Sequence, residues 1–420
     1  MTATWEQAKL GDLVETQKGY AFKSGWFCDS GRPIVKVSDF TDDSVDSTTL
    51  VCIPESIATD YQKYELRAGD VVVQTVGSWP SNPASVVGKC VRTPNDAAGA
   101  LLNQNAVKLS PTDSLDRRFL FYLLRNEDFK TYIIGTAQGA ASQAAITLEA
   151  IRGYEFEFPP LHVQQQIADI LSTYDELIKN NQRRIRILEE MARTLYREWF
   201  VHFRFPGHEK ISHIASSFGD IPQGWKLGKL ADICHIIPGY AFKSKDWQGD
   251  GVPVIKIKNI QQDNTIDTDS VDFVSEDVFQ ATHSKFLLGN GDILIAMTGA
   301  TAGKLGKLRT KQRFLLNQRV AKIIPDDVYR AFIWCAISTD ESKDRFFRLA
   351  DGAAQPNMSG SQIEDVEIIL PTRDLAEAFS RIAEPILNQS DILYLKIQNL
   401  RQTRDFLLPR LLSGQVELAE

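Results

Sequence analysis

The sequence predicts an α+β chain. It consists of two similar mixed α/β domains joined by two long antiparallel helices that form a coiled coil, a tandem repeat related by a pseudo-twofold axis. Three observations predict it. Two stretches, 161–199 and 375–411, carry apolar residues at heptad spacing for longer than a globular helix needs. Blocks of the first half recur in the second: GYAFKS at 19–24 returns unchanged at 239–244, an offset of 220. Between the recurring blocks lie strand-like runs bounded by Gly-Asp and proline.

Taken in order, each copy opens on a tryptophan, Trp5 in WEQAKLGDL and Trp225 in WKLGKLADI. GRPIVKVSDF from Gly31 answers GVPVIKIKNI from Gly251, and LRAGDVVVQTVG from Leu66 answers LLGNGDILIAMTG from Leu287. LLNQNAVKL from Leu101 answers LLNQRVAKI from Leu315, and QAAITLEAIRGYEFEFPP from Gln143 resembles QPNMSGSQIEDVEIILP from Gln355. Strands are expected at 33–37, 70–74, 253–257 and 292–296, and helices at 118–125 and 329–337, giving a modest, mostly antiparallel sheet in each domain. The domain boundaries read as 1–158, helix 159–204, linker 205–222, domain 223–370 and helix 371–414.

The first helix carries a seam of Ile167, Leu171, Tyr174, Ile178, Ile185, Leu188, Ala192, Leu195 and Trp199. The polar Asn181 at a seam position is the kind of residue that sets register and partner number. At about 1.5 Å per residue such a rod exceeds about 50 Å and cannot bury its own stripe. The second helix offers Phe379, Ile386, Leu393, Leu400 and Leu407 at steps of seven. Its other column, Leu375 and Ile382, decays into Gln389, Lys396 and Thr403, and Pro385 predicts a kink or a late start. Only about twenty-five residues separate Trp199 from Trp225, so the second helix must run back along the first. The expectation is an antiparallel rod with a domain at each end. Two ordinary core helices are the plainer alternative.

Composition is that of a soluble globular protein: 43% hydrophobic, 24% charged, net charge −7. No apolar run is long enough to span a bilayer, and the opening MTATWEQAKL lacks a signal-peptide pattern. Five scattered cysteines, none in a C-x-x-C, point to a reducing cytoplasm and away from disulfides or a zinc site.

Motifs that invite chemistry do not hold. TGATAGKL from Thr298 has three residues, not four, between its glycines, and Leu305 follows Lys304 where a phosphate loop needs Ser or Thr. FPPL at 158–161 has Phe158 where an amino-methyltransferase needs an amide or carboxylate, and no glycine-rich cofactor loop accompanies it. His202, His208 and His213 are irregularly spaced with no cysteine nearby, so no metal site is expected. No catalytic residue and no cofactor on this chain are expected.

The best charge signal is KLGKLRTKQR at 304–313. A solvated hairpin face explains it, and so does contact with phosphates. The segments that differ most between the copies are 42–64 against 263–284, together with the loop from Asp70 to Asn103 (33 positions) against Asp292 to Asn317 (25 positions). If the domains read different targets, the readers lie there. The DNA-contact candidates are Gln74, Ser78, Asn82, Lys89 and Arg92 in the first copy, and Lys304, Lys307, Arg309, Lys311 and Arg313 in the second. Lys23 and Ser24, with Lys243 and Ser244, are candidates for a shared backbone contact.

On the tryptophan openings with LGDL and L-x-D-I, the GYAFKS and G-x-P-V/I segments, the LNQ strands, FPPLHVQQQIADIL and LRQTRDFLLPRLLSG, the chain resembles the specificity (S) subunit of type I restriction–modification systems. The resemblance covers essentially the whole chain. It implies that each domain is a target-recognition domain reading one half of a bipartite, asymmetric double-stranded DNA site, and that the helices set the spacer. It further implies two methyltransferase (M) subunits docked on the helical region, carrying S-adenosylmethionine and flipping the target adenine, and two motor-nuclease (R) subunits using ATP and Mg. This chain would supply address without chemistry. The alternatives are a scaffold or adaptor that lacks DNA recognition, and an enzyme, for which neither a cofactor loop nor an acidic metal cluster is found.

Overall fold

A computed structural model describes residues 5–80, 86–139, 143–350, 357–416 and 418. The chain divides into two units, one of residues 1–178 with 400–420, the other of residues 179–399.

In the first unit a four-stranded antiparallel sheet runs in the order Val14–Lys18, Ala106–Pro111, Val71–Gln74, Cys90–Arg92. A smaller sheet of Cys52–Ile53, Arg32–Val35 and Leu101–Leu102 includes one parallel pair, Ile34 opposite Leu101. The strand Glu6–Lys9 pairs with Glu155–Phe158 just before the first long helix. The second unit repeats this plan with a larger mixed sheet. Its antiparallel sheet is Cys234–Pro238, Val320–Pro325, Ile293–Ala296, Leu305–Lys307. Its mixed sheet has five strands, with Val254 opposite Leu315 as a parallel pair, and Lys226–Lys229 pairs with Glu367–Leu370.

The recurring sequence blocks have backbone reasons. A Cβ on Gly19 would lie 2.0 Å from the Asn103 carbonyl oxygen, and one on Gly239 would lie 2.1 Å from that of Asn317. Only glycine permits either approach. Gly31 and Gly251 hold φ of +138° and +125°, each with a strand carbonyl 2.3 Å from where a Cβ would stand. The Gly-Asp turns are capped alike: Asp70 Oδ2 accepts from Arg67 N at 2.8 Å, and Asp292 Oδ2 accepts from Gly289 N at 2.9 Å.

The first long helix, Leu161–Tyr196, ends in a π turn, Arg197–Val201, that turns both Trp199 and Phe200 inward, and Phe200 packs 4.9 Å from the Phe379 ring. Its seam is as expected: Ile167, Leu171, Ile178, Asn181, Ile185, Ala192 and Trp199 are buried, and Tyr174, Leu188 and Leu195 are half-buried. The second helix spans Arg373–Leu412 without interruption, so Pro385, on its exposed side, does not delay the start. Its second column is not the expected one. Ile382 is 46% exposed, and the buried positions are Ala376, Ala383, Ser390, Ile397, Arg404 and Leu411, again at steps of seven. The column had looked decayed because small and polar residues occupy it while large apolar ones flank it.

In the first unit Leu171, early in the first helix, shares a core with Leu411, late in the second. In the second unit Trp199 shares one with Phe379, so the pairing is antiparallel in each. The expected linker 205–222 is not structureless. It forms a hairpin of His213–Ser216 and Gly219–Pro222, and buries Phe205 and Ile221 in the second unit's core. No helix among the described residues is long and apolar enough to cross a membrane.

Candidate nucleic-acid interface

The antiparallel sheets have two ends, and the two are chemically different. In the first unit, Lys18, Gln74 and Ala106 mark one end. There Gly19 N donates to Ala106 O (3.0 Å), Tyr20 N to Leu102 O (2.9 Å) and Thr75 N to Asn105 O (2.8 Å). A fourth segment crosses over them: Ala144 pairs with Gly77, and Ile146 N donates to Thr75 O at 2.9 Å. The second unit builds the same frame. Gly239 N donates to Val320 O (2.9 Å), Tyr240 N to Leu316 O (2.8 Å), Met297 N to Arg319 O (2.9 Å) and Met358 N to Met297 O (2.9 Å), while Thr298 pairs with Asn357. Four loops therefore converge at one sheet end in each unit, held by backbone bonds that leave side chains free to vary.

Several of the expected candidates gather here. Lys23, Ser24, Lys243 and Ser244 are exposed at the start of short 3-10 turns, with the Lys23 ammonium 5.3 Å from the Trp26 ring centre. Ser78 and Lys304 are half-buried in the turns that follow the central strands. Gln74 sits at this end but is fully buried, its Nε2 donating to Val76 O at 2.9 Å, which corrects its assignment as a base reader. Lys89 has its backbone nearby, but its ammonium turns to Phe40 O at 3.3 Å, and burial lowers its pKa. Asn82 lies outside the described residues. Sequence reasoning missed Gln104, Asn105, Gln138 and Gln143 in the first unit, and Gln318, Arg319 and Asn357 in the second, all exposed or half-buried at this end. Amides and arginine are the side chains that pair bidentately with adenine and guanine edges. The signal available was the repeated crossing segment from Gln143 and Gln355.

The remaining basic candidates occupy the opposite end. Arg92 stacks 4.9 Å from the Phe121 ring centre with its guanidinium 4.0 Å from Asp175. Asp175 is buried, accepting from Tyr122 Oη at 2.6 Å and from Arg404 Nη1 at 2.7 Å. Burial and the Asp175 charge push the Tyr122 hydroxyl well above its ordinary range. Burial opposes the Arg404 charge, but the hydrogen bonds and charges of Asp175 and Asp405 together outweigh it and raise the pKa.

In the second unit Lys307 pairs with Asp391 on the second long helix. Arg309 is 6% exposed and donates through Nε to Asp391 Oδ1 at 2.7 Å and through Nη2 to Glu189 Oε1, on the first helix, at 3.3 Å. Lys307 and Arg309 are thus internal ion-pair residues, and the phosphate contact expected of them is corrected: carboxylates 82 and 120 residues away claim the Arg309 guanidinium. Lys311 and Arg313 are exposed at this same far end, beyond the strand that Lys307 closes.

The glycines of TGATAGKL, Gly299 and Gly303, take φ of +77° and +84° in a hairpin turn between Ile293–Ala296 and Leu305–Lys307, whose single 3-10 turn, Gly299–Thr301, is too short to receive a phosphate. Among the described residues no three His, Cys, Asp or Glu side chains converge as a metal site.

A family model for the type I restriction modification DNA specificity domain matches residues 2–190 and again 222–400. The MjaVIII specificity subunit of a type I restriction enzyme from Methanocaldococcus jannaschii is 23% identical over 99% of this chain and 93% of its own length. The HindI specificity subunit of Haemophilus influenzae is 23% identical over 84% of this chain and 88% of its own. Among solved structures, the S subunit of a type I restriction-modification system from M. genitalium aligns over 99% of this chain and 97% of its own, with a TM-score of 0.58 and 16% identity, a likeness of fold. With two copies of the domain covering most of its length, the chain belongs to the specificity-subunit family of type I restriction–modification systems.

Proposed function

We propose that each unit presents its four-loop sheet end to one half of a bipartite, asymmetric site in double-stranded DNA, and that the paired helices set the gap between the halves. The observation that carries this reading is the duplicated frame: identical backbone bonds in both units support loops whose side chains differ. Each unit can then read its own bases from a common platform. Major-groove readers one helical turn apart need a separation of about 34 Å, the scale of a long two-helix rod. Exposed Lys23 and Lys243, on the segment the copies share, suit phosphates, which position without specifying. The amides and Arg319 suit base edges.

The chain supplies the address in the cytoplasm and carries no cofactor of its own. Two methyltransferase subunits, holding S-adenosylmethionine, dock on the helices and flip the target adenine. Two motor-nuclease subunits with ATP and Mg complete the restriction complex. An open apolar groove on the second unit's helices, lined by Ile187, Met191, Leu195, Ile382 and Ile386, suits a docked protein partner.

The test is co-expression with the cognate methyltransferase and genome-wide mapping of methylated adenines. One split motif with a fixed gap and unlike halves is expected. In the same complex, Gln318→Ala or Arg319→Ala should relax one position of one half at about 1–3 kcal/mol, whereas Lys243→Ala should weaken all sites alike and lower the salt slope by about one. Assembly with the methyltransferase but without a chain-dependent motif would leave the adaptor as the better account.

A further inference from the structure

Arg309 joins three elements of the second unit. It follows the strand Leu305–Lys307, and its guanidinium reaches Asp391 on one helix and Glu189 on the other. Its face lies 3.9 Å from the Tyr394 ring centre, and its carbonyl accepts from Gln398 Nε2 at 3.4 Å. Lys307, one strand position earlier on the same face, takes the second oxygen of Asp391. Buried pairs of this kind add little stability over apolar packing, but they hold a definite geometry. A planar fork touching two helices at once fixes an angle in a way that a greasy contact does not.

The strand that carries the clasp also leads to the candidate interface. Leu305–Lys307 pairs with Ile293–Ala296, and the turn between them holds Thr298 and Lys304 at the reading end. At about 3.3 Å per residue the arm from Arg309 to that turn is about 20 Å. A tilt of about 10° at the clasp therefore displaces the reading loops by about 3.4 Å, the rise of one base pair.

We propose that Arg309, with Lys307, is a positioning residue for spacer length: the clasp sets the tilt of the second recognition sheet on its helices, and through it the gap between half-sites that is accepted. The inference rests on the DNA-reading function proposed above.

The experiment uses the full chain assembled with its methyltransferase, assayed on duplexes whose halves are fixed and whose gap is one base pair short, cognate or one long. Arg309→Lys keeps the charge and the fold but cannot bridge both carboxylates. The double variant Arg309→Gln/Asp391→Asn removes both charges of the Arg309–Asp391 pair. Both are expected to lower the preference for the cognate gap about tenfold or more, since a shift near 1 Å already costs catalysis up to about a hundredfold. Base preference within each half should be unchanged.

An assembled Arg309→Lys complex that loses activity equally at all three gaps, or keeps the wild-type preference, overturns the inference and leaves the clasp a stability element. A wild-type complex with no gapped motif at all would instead overturn the DNA-reading function on which the inference stands.

Discussion

The two units anchor their sheets to their helices by different chemistry. In the first, one buried carboxylate, Asp175, collects a tyrosine hydroxyl and an arginine from the second long helix, with Arg92 at 4.0 Å. In the second, Asp391 collects Lys307 and Arg309, and the arginine continues to Glu189. Arg92 and Lys307 stand at the same register step, opposite Val71 and Ile293, and lie 4.9 Å and 5.8 Å from the rings of Phe121 and Trp334. The loop-end frame, by contrast, is the same in both. Ion pairs can be rebuilt from new partners as a sequence diverges. A Cβ pressed on a carbonyl oxygen cannot be relieved by any change nearby, so the glycines stay.

The largest expected effect tests the anchors. Asp175→Ala leaves Tyr122 without its acceptor and Arg404 with only the solvent-exposed Asp405, and should cost about 3–5 kcal/mol in urea unfolding of the chain. Asp391→Ala should cost less, because its carboxylate is 10% exposed against 2% for Asp175 and Glu189 still holds Arg309. Equal losses would mean the two anchors are not different in kind.

Next comes Tyr122→Phe, which removes a hydrogen bond to a buried carboxylate at about 1.5–3 kcal/mol. Counted back from the capping residues Asn126 and Thr339, Cys335 stands where Tyr122 does, so Cys335→Ala has no such bond to lose and adds no polar group to the core. A stability change in Cys335→Ala matching that of Tyr122→Phe would undo the distinction.

The shared frame is tested by Gly239→Ala, expected to cost about 1–3 kcal/mol or more by overpacking. Gly249→Ala, where nothing lies within 4 Å of the added carbon, should stay within about 0.5 kcal/mol. Finding the two equal by thermal melting would show that the glycine is not there for the carbonyl.

The mildest probe is thiol alkylation at pH 8. Burial pushes Cys90, Cys234 and Cys335 up to about 12, so they should label only on unfolding. Cys28, partly exposed in the first unit, should label in the native state, and Cys52, partly exposed but raised by burial, should label more slowly. Labelling of Cys234 or Cys335 at the rate of Cys28 would show that the second unit opens more readily than its packing implies.

Much of this was legible beforehand. The duplicated blocks, the strand and helix positions within a residue or two, and the first helix's seam are local patterns of period two or seven, and local patterns are written in the chain. In the second helix the column of Phe379, Ile386, Leu393, Leu400 and Leu407 is inward as expected, and only the other column lies one residue from its expected place, because Ala376, Ala383, Ser390 and Arg404 do not look like a seam. The hairpin at 213–222 was read as linker, since its strands are short and mostly exposed.

The candidate site divided differently. The repeat, the divergent loops and the membership these imply are plain from the order of residues, because repetition and periodicity need no partner to be seen. Which charges face outward depends on the folded arrangement. KLGKLRTKQR looks like one basic surface, yet its members separate. Lys304 stays at the loop end, Lys307 and Arg309 turn to carboxylates on two helices, and Lys311 and Arg313 remain exposed. A cation's role depends on the nearest opposite charge in space, and here that charge is supplied by residues 82 to 120 positions away.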